Sequence, residues 1–150
     1  MPLGKDEIAR LIPHADAMCL LDEVTSWDET GVIAFSRTHR DEANPLRTAG
    51  RISTWCAVEY AVQAMAVHGS LVGAVAGKPR AGYLVSLRKV VCLAPRIDDL
   101  EGDLFIEARQ LMGDAERVMY AFSLRIGERE VLSGKATVVL DVESSRGSTK

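Results

Sequence analysis

The pattern of apolar and polar positions changes character twice along the chain. Up to residue 50, short apolar clusters alternate with polar stretches. Residues 5–11, KDEIARL, read as a short helix ended by Pro13. MCLLDEV (18–24) reads as a strand, with Trp27 following in a polar turn. GVIAFSRTH (31–39) is rich in β-formers, and RDEANPLRTAG (40–50), with Asn44-Pro45 and Gly50, is loop by composition. From Ile52 to about Ala76, Ala, Val, Met and Leu dominate with almost no charge. Ile52, Cys56, Ala57, Tyr60, Ala61, Ala64, Met65 and Val67 give apolar faces nearly all round a helix, which predicts a buried one. Gly69, Gly73 and Gly77, then Lys78-Pro79, mark its end. Four strand-like segments follow at 82–93, 103–112, 117–127 and 130–142, joined at the last two connections by GDAE and GERE turns. Arg88, Glu107, Arg109 and Arg125 interrupt their apolar residues, as on a sheet with one wet face.

The order predicts an α+β layer architecture, an antiparallel sheet wrapped around one long helix. Residues 1–142 are expected to form a single domain, with 143–150 a disordered tail. A chain of 150 residues suits one such core. The formal net charge of −3 argues against a general nucleic-acid binder. No apolar run is long enough for a membrane span, and acids at positions 6 and 7 make the start unlike a secretory signal. The three cysteines, Cys19, Cys56 and Cys92, are far apart in apolar surroundings and read as reduced thiols of a cytoplasmic protein. Cys and His do not cluster at metal-ligand spacing, so no metal is expected.

Against this background one residue stands out. Glu59 lies within the apolar helix, and its neighbours three and four positions away, Trp55, Cys56, Val62 and Gln63, include no cation. Either it faces solvent on a strip of the helix, or it is a carboxyl kept protonated by burial and able to give a proton to a leaving group. His39 opens the loop before the helix and reads either as an exposed loop histidine or as a base. His14 reads as structural or surface, and His68 falls on the helix face opposite Glu59. GAVAGKP (73–79) fails as a phosphate loop, and no serine lies in a nucleophile-elbow context. GKPR (77–80) and LRK (87–89) form a modest basic cluster, either a solvated face or a greeting for an acidic partner.

Two stretches carry a family resemblance. LIPHADAMCLLDEV (11–24) resembles the opening of the β-hydroxyacyl-ACP dehydratases at Leu11, Pro13, His14, Met18, Leu20, Asp22 and Val24, with Ala17 in place of a proline. VEYAVQAMA (58–66) is similar to their central-helix stretch, with Glu59 on the catalytic acid and Gln63 on the family's glutamine. The fold implied is the hotdog, a curved sheet around a long helix, usually paired as a dimer. The chain departs from the family before the helix. The Gly-His-Phe-Pro-Gly stretch that carries the family's base is missing, and Pro45 stands where its histidine would fall. Asn44, Pro45, Leu46, Glu59, Tyr60, Gln63 and Ala64 instead resemble a divergent branch of small hotdog proteins that accompany polyene and fatty-acid-like biosynthesis.

What the resemblance implies is a 3-hydroxyacyl thioester dehydratase. Glu59 would protonate the leaving hydroxyl and Gln63 orient it. Asn44, Ser53 and Thr54 would help to bind substrate, with free amides near Arg51 to Thr54 holding the thioester carbonyl. His39 is nominated as the base, facing Glu59 of another subunit. The substrate would ride on an acyl carrier protein or CoA, with no cofactor. The assembly would be a homo-oligomer or a heterodimer with another hotdog chain. A non-catalytic partner subunit ranks second and a thioesterase third.

Overall fold

The computed structural model describes residues 2–12, 19–75, 82–114 and 116–140. A two-residue strand β1 (Leu3–Gly4) leads into helix α1 (Lys5–Leu11), whose start is closed by Glu7 accepting from the Gly4 amide at 3.2 Å. Strands β2 (Glu23–Asp28) and β3 (Gly31–Ser36) form a hairpin. A 3-10 turn (Thr38–Arg40), the loop, and a second 3-10 turn (Thr54–Ala57) precede helix α2 (Val58–Val75). Four strands complete the chain, β4 (Gly82–Cys92), β5 (Leu104–Gly113), β6 (Arg117–Ile126) and β7 (Arg129–Leu140).

The seven strands make one antiparallel sheet in the order β1-β2-β3-β5-β6-β7-β4. The helix packs on one face of it, chiefly against β5, β3 and β6. Inward positions alternate along each strand as the period of two requires: Leu104, Ile106 and Ala108 on β5, and Val118, Tyr120, Phe122 and Leu124 on β6. They meet Ala57, Tyr60, Ala61, Ala64 and Val67 from the helix in one core. This is the α+β architecture expected of the sequence.

The differences lie at the N-terminal end. The strand expected at 18–24 starts only at Glu23, and residues 13–18, including His14, lie outside the described residues. Trp27 belongs to β2 rather than to a turn. The strand expected at 31–39 ends at Ser36, where the chain tightens into the 3-10 turn. GKPR and the C-terminal tail lie outside the described residues, which stop at 140.

Two strands are interrupted in ways that shape the sheet. Strand β4 bulges between Arg88 and Val91, and Lys89 there takes a left-handed backbone with φ of 53°. Opposite, Gly134 on β7 lets the Phe122 ring and Val90 close over the backbone. A Cβ at 134 would lie 2.8 Å from Phe122 Cζ and 3.0 Å from Val90 Cγ2.

Candidate active site

Helix α2 is not buried all round. Tyr60, Ala61, Gln63, Ala64, Val67 and His68 face the core. Glu59, Val62, Ala66 and Gly73, spaced at helical repeats, form a half-buried stripe that the sheet leaves uncovered. The two residues before the helix extend it: Cys56 is half-buried and Trp55 is 56% exposed. The reason is geometric. A single sheet wraps only part of a cylinder, and the side of α2 away from β3, β5 and β6 is only partly covered by the described residues. Glu59 is therefore neither sealed nor freely solvated. It has no hydrogen bond or ion pair among the described residues, and the full enclosure expected from the aliphatic pattern is not supplied by this chain. Strand β4, the free edge of the sheet, carries further exposed apolar side chains at Leu84, Val85 and Val91.

The residue after Glu59 points the other way. Tyr60 is fully buried, and its hydroxyl meets Thr38 Oγ1 at 2.7 Å and the Asn44 amide at 3.0 Å. Asn44 also donates to the Thr38 carbonyl at 2.8 Å and accepts from the Leu46 amide at 2.8 Å. Thr38 and Ser36 both donate to the Leu20 carbonyl, at 2.8 and 2.5 Å. Gln63 accepts from the Leu20 amide at 2.8 Å. The Glu-Tyr-x-x-Gln pattern thus divides its labour within this chain: Tyr60 and Gln63 bolt the helix to the loop and to residues 19–22, while Glu59 projects from the other side. Burial raises the Tyr60 phenol above its ordinary range, so it stays protonated.

His39 is 0% exposed. Its Nε2 lies 3.0 Å from the Leu100 carbonyl, and its Nδ1 is buried without a hydrogen-bond partner. Burial lowers its pKa, which favours the neutral ring. The 3-10 turn at Thr38–Arg40 turns the imidazole into its own chain, which corrects the reading of His39 as an exposed loop histidine. His68, 1% exposed, is equally enclosed between Tyr120 Oη at 2.6 Å and the Asp28 carbonyl at 2.8 Å, also with a lowered pKa from burial. It bolts helix to sheet.

The start of the helix also differs from expectation. Arg51 N donates to Thr48 O at 3.0 Å, Ile52 N to Asp98 Oδ1 at 2.8 Å, and Thr54 N to Pro95 O at 3.2 Å. The last two hold the 94–98 loop, the first closes its own turn, and none of the three is free for a thioester carbonyl. Ser53 caps the turn, its Oγ accepting from Cys56 N at 3.2 Å, while the Thr54 hydroxyl is buried without a partner. The organising residue, which the sequence reading missed, is Asp98. It is 7% exposed and bound by both Arg96 and the Ile52 amide, which hold its carboxyl well below the usual range. A run of Arg96-Ile97-Asp98-Asp99 after a strand was the available signal. Beside this knot a cavity of about 290 Å³ opens between Leu46, Arg51, Ser53, Cys56 and Arg96, one turn upstream of Glu59. Among the described residues, no group of His, Cys, Asp and Glu could hold a metal ion, and no helix is long and apolar enough to cross a membrane.

An antiparallel sheet curled around one long helix defines a hotdog-fold protein. The ApeP-like dehydratase family description matches residues 6–145, and the chain belongs to that family. No curated protein matches the sequence. Among solved structures, a dehydratase heterocomplex, ApeI:P from Xenorhabdus doucetiae, superposes with a TM-score of 0.81 at 20% identity, covering 95% of each chain. A thioesterase from Pseudomonas aeruginosa superposes at 0.67 with 9% identity over 92% of this chain and 94% of that one. A hypothetical thioesterase from Streptococcus pneumoniae, solved with coenzyme A, superposes at 0.60 with 12% identity over 79% and 84%. At these identities the structures share the fold. The family supports the dehydratase-like reading over the thioesterase one.

Proposed function

We propose that this chain supplies the acid half of a two-chain dehydratase acting on 3-hydroxyacyl thioesters. The observation that carries the reading is the position of Glu59. It stands on the uncovered stripe of α2, while both described histidines, His39 and His68, are sealed inside the chain. The acid is presented outward and no base of this chain is presented to it. A second hotdog chain laid over the stripe and the β4 edge would enclose Glu59 and bring the base. The ApeI:P structure, a dehydratase heterocomplex, supports a pairing of this kind.

Elimination of water is redox-neutral. A base takes the C2 proton, the electron pair forms the C2–C3 double bond, and the C3 hydroxyl leaves as water after protonation by Glu59. Acid, base and carbonyl donors suffice, so the scheme calls for no cofactor beyond the carrier of the thioester, an acyl carrier protein or CoA. With the amides at Arg51, Ile52 and Thr54 engaged, the donors that stabilise enolate charge also fall to the partner or to the substrate's own orientation. The setting is the cytoplasmic, fatty-acid- or polyene-type synthesis that the family resemblance implies.

The test is to assay the purified chain alone and with a co-expressed hotdog partner for loss of water from a 3-hydroxyacyl thioester by mass spectrometry. The chain alone should be inactive, the pair active, and the pair with Glu59→Gln slowed about 100-fold or more, as expected for removal of a general acid. An equally active Glu59→Gln pair refutes the scheme. Turnover by the chain alone refutes the division of the site, and release of free thiol in place of the enoyl product makes it a hydrolase.

A further inference from the structure

The cavity beside the helix start is shaped by short pieces of paired chain. Thr48 and Arg51 exchange both backbone hydrogen bonds, Thr48 N to Arg51 O at 2.8 Å and Arg51 N to Thr48 O at 3.0 Å. Between them Ala49 and Gly50 both take positive φ, 53° and 76°, the tight turn whose twist suits a paired strand. Residues paired in this way stand side by side with their side chains on one face. Ser53, two positions beyond Arg51, returns to that face, while Ile52 between them is buried in the core. Ser53 pairs in turn with Arg96 across a second bridge. Two bridges and one alternation thus gather Thr48, Arg51, Ser53 and Arg96 around a single opening of about 290 Å³, and all four line it.

The other walls are Leu46, Cys56 and Pro95, so the lining joins an apolar side to hydroxyls and guanidinium groups and includes no acid. Its two arginines differ in state. Arg96 is committed: Nε donates to Asp98 Oδ1 at 3.0 Å and Nη2 to Asp98 Oδ2, with Asp99 Oδ2 at 3.7 Å from Nε. Asp98 is 7% exposed and also faces Arg47 at 3.9 Å and the Ile52 amide, so its charge is answered within the chain. The Arg51 side chain is exposed and has neither an ion pair nor a hydrogen bond among the described residues. A free guanidinium at the mouth of a cavity, with hydroxyls beside it and no acid in the lining, is a fork for phosphate oxygens.

We infer that this opening holds the phosphate end of a pantetheine arm, the group that CoA and an acyl carrier protein share. The inference rests on the dehydratase reading above for the identity of the arm. Arg51 takes the phosphate, and Leu46 and Pro95 lie against the arm's dimethyl carbon, a contact that an inorganic anion would not use. The reach agrees. The chain is extended from Arg51 to Ser53 and then coils through the 3-10 turn into α2, so Arg51 and Glu59 are at most about 18 Å apart along the backbone. The arm runs about thirteen bonds from phosphorus to sulfur, about 15 Å when extended, and the hydroxyl-bearing carbon lies beyond the sulfur. One arm anchored at Arg51 therefore reaches Glu59.

The experiment reads binding without catalysis. The full chain, isotope-labelled, is titrated with phosphopantetheine, pantetheine, CoA and inorganic phosphate and followed by amide NMR. The expected result is saturable shifts at Thr48, Arg51, Ser53 and Cys56, with pantetheine and inorganic phosphate each about tenfold weaker than phosphopantetheine. Arg51→Gln should lower phosphopantetheine to the affinity of pantetheine, and Arg51→Lys should keep part of the difference. Both variants should melt with the parent, because the side chain has no partner to lose. CoA binding as tightly as phosphopantetheine supports the site and an arm presented by a carrier protein, and CoA binding tenfold tighter supports the site and a nucleotide-borne arm. Equal affinity of the parent for phosphopantetheine and pantetheine, inorganic phosphate binding as tightly as phosphopantetheine, unchanged affinity in Arg51→Gln, or shifts confined to other residues would each overturn the assignment. A two-chain assembly that binds the arm here and fails to dehydrate counts against the dehydratase reading and leaves the site standing.

Discussion

Glu59 and Tyr60 are adjacent in sequence and opposite in role, and substituting each should move a different quantity. Tyr60→Phe removes one hydroxyl from a fully buried site. Thr38 Oγ1 loses a partner at 2.7 Å but keeps Leu20 O at 2.8 Å and Ser36 Oγ at 2.8 Å. The Asn44 amide fares worse. One of its hydrogens still reaches Thr38 O, and the other, which met the hydroxyl at 3.0 Å, is left in a site only 6% exposed. One net hydrogen bond is worth about 1 kcal/mol and an orphaned buried donor costs about 1–3 kcal/mol. The variant should therefore lose about 2–3 kcal/mol in a urea unfolding series with unchanged m-value. Glu59→Gln, on a half-buried stripe without partners, should stay within about 0.5 kcal/mol of the parent while slowing dehydration about 100-fold or more in the two-chain assay. The reasoning fails if Tyr60→Phe is as stable as the parent, or if Glu59→Gln costs as much as Tyr60→Phe, since the helix would then not be divided between an anchoring face and a presenting face.

Stability should also fall as the pH drops from about 7.5 to 5. Burial lowers the pKa of both His39 and His68 in the folded chain, so the unfolded state takes up protons first, below its ordinary value of about 6.5, at up to about 1.4 kcal/mol per pH unit for each ring. The loss is complete only below the folded pKa values, and a urea midpoint that is flat across this window would show the rings to be solvated. Asp98→Ala, which leaves the buried Ile52 amide without its acceptor and Arg96 without its partner, should cost about 3 kcal/mol, and Asp98→Asn distinctly less, by thermal or urea unfolding. Gly134→Ala should cost about 1–3 kcal/mol by driving a Cβ into the Phe122 ring, and Phe122→Leu in that background should recover part of the loss. A neutral Gly134→Ala would mean that the ring has room to move.

The fold was legible because its signals are long and local. The four alternating segments from Gly82 to Leu140 set the strands within a residue or two, and the aliphatic run from Ile52 marked the helix, which begins as an α-helix only at Val58, after the 3-10 turn at Thr54–Ala57. The N-terminal third was less so. Residues 19–22 look like a strand by composition, yet their backbone groups are held by side chains, Leu20 N by Gln63 and Leu20 O by Ser36 and Thr38. Such bonds between residues 16 to 43 positions apart leave no periodic trace in sequence. The same limit applied to the site. Glu59 was conspicuous because a charge interrupted an apolar pattern, but the pattern could not say which side of the helix the sheet would leave bare. His39 was nominated from its position before the helix, and only the 3-10 turn at Thr38–Arg40 decides that its ring points inward.

The engaged loop and the outward acid are two consequences of one arrangement. Between Thr38 and Ile52 nearly every strong polar group is tied within the chain: Asn44 to Tyr60, Arg47 to Asp41 O and Gly50 O, Asp98 to Ile52 N. A loop so committed is a rigid mount for the helix start. The acid is thereby fixed in position relative to the β4 edge while the groups that would complete the chemistry are excluded. An acid held beside a substrate without a base does not remove the C2 proton, which is why the proposed reaction requires assembly with a second chain. The apolar side chains exposed along Trp55, Leu84, Val85 and Val91 fit that requirement, since covering them would also remove water from around Glu59.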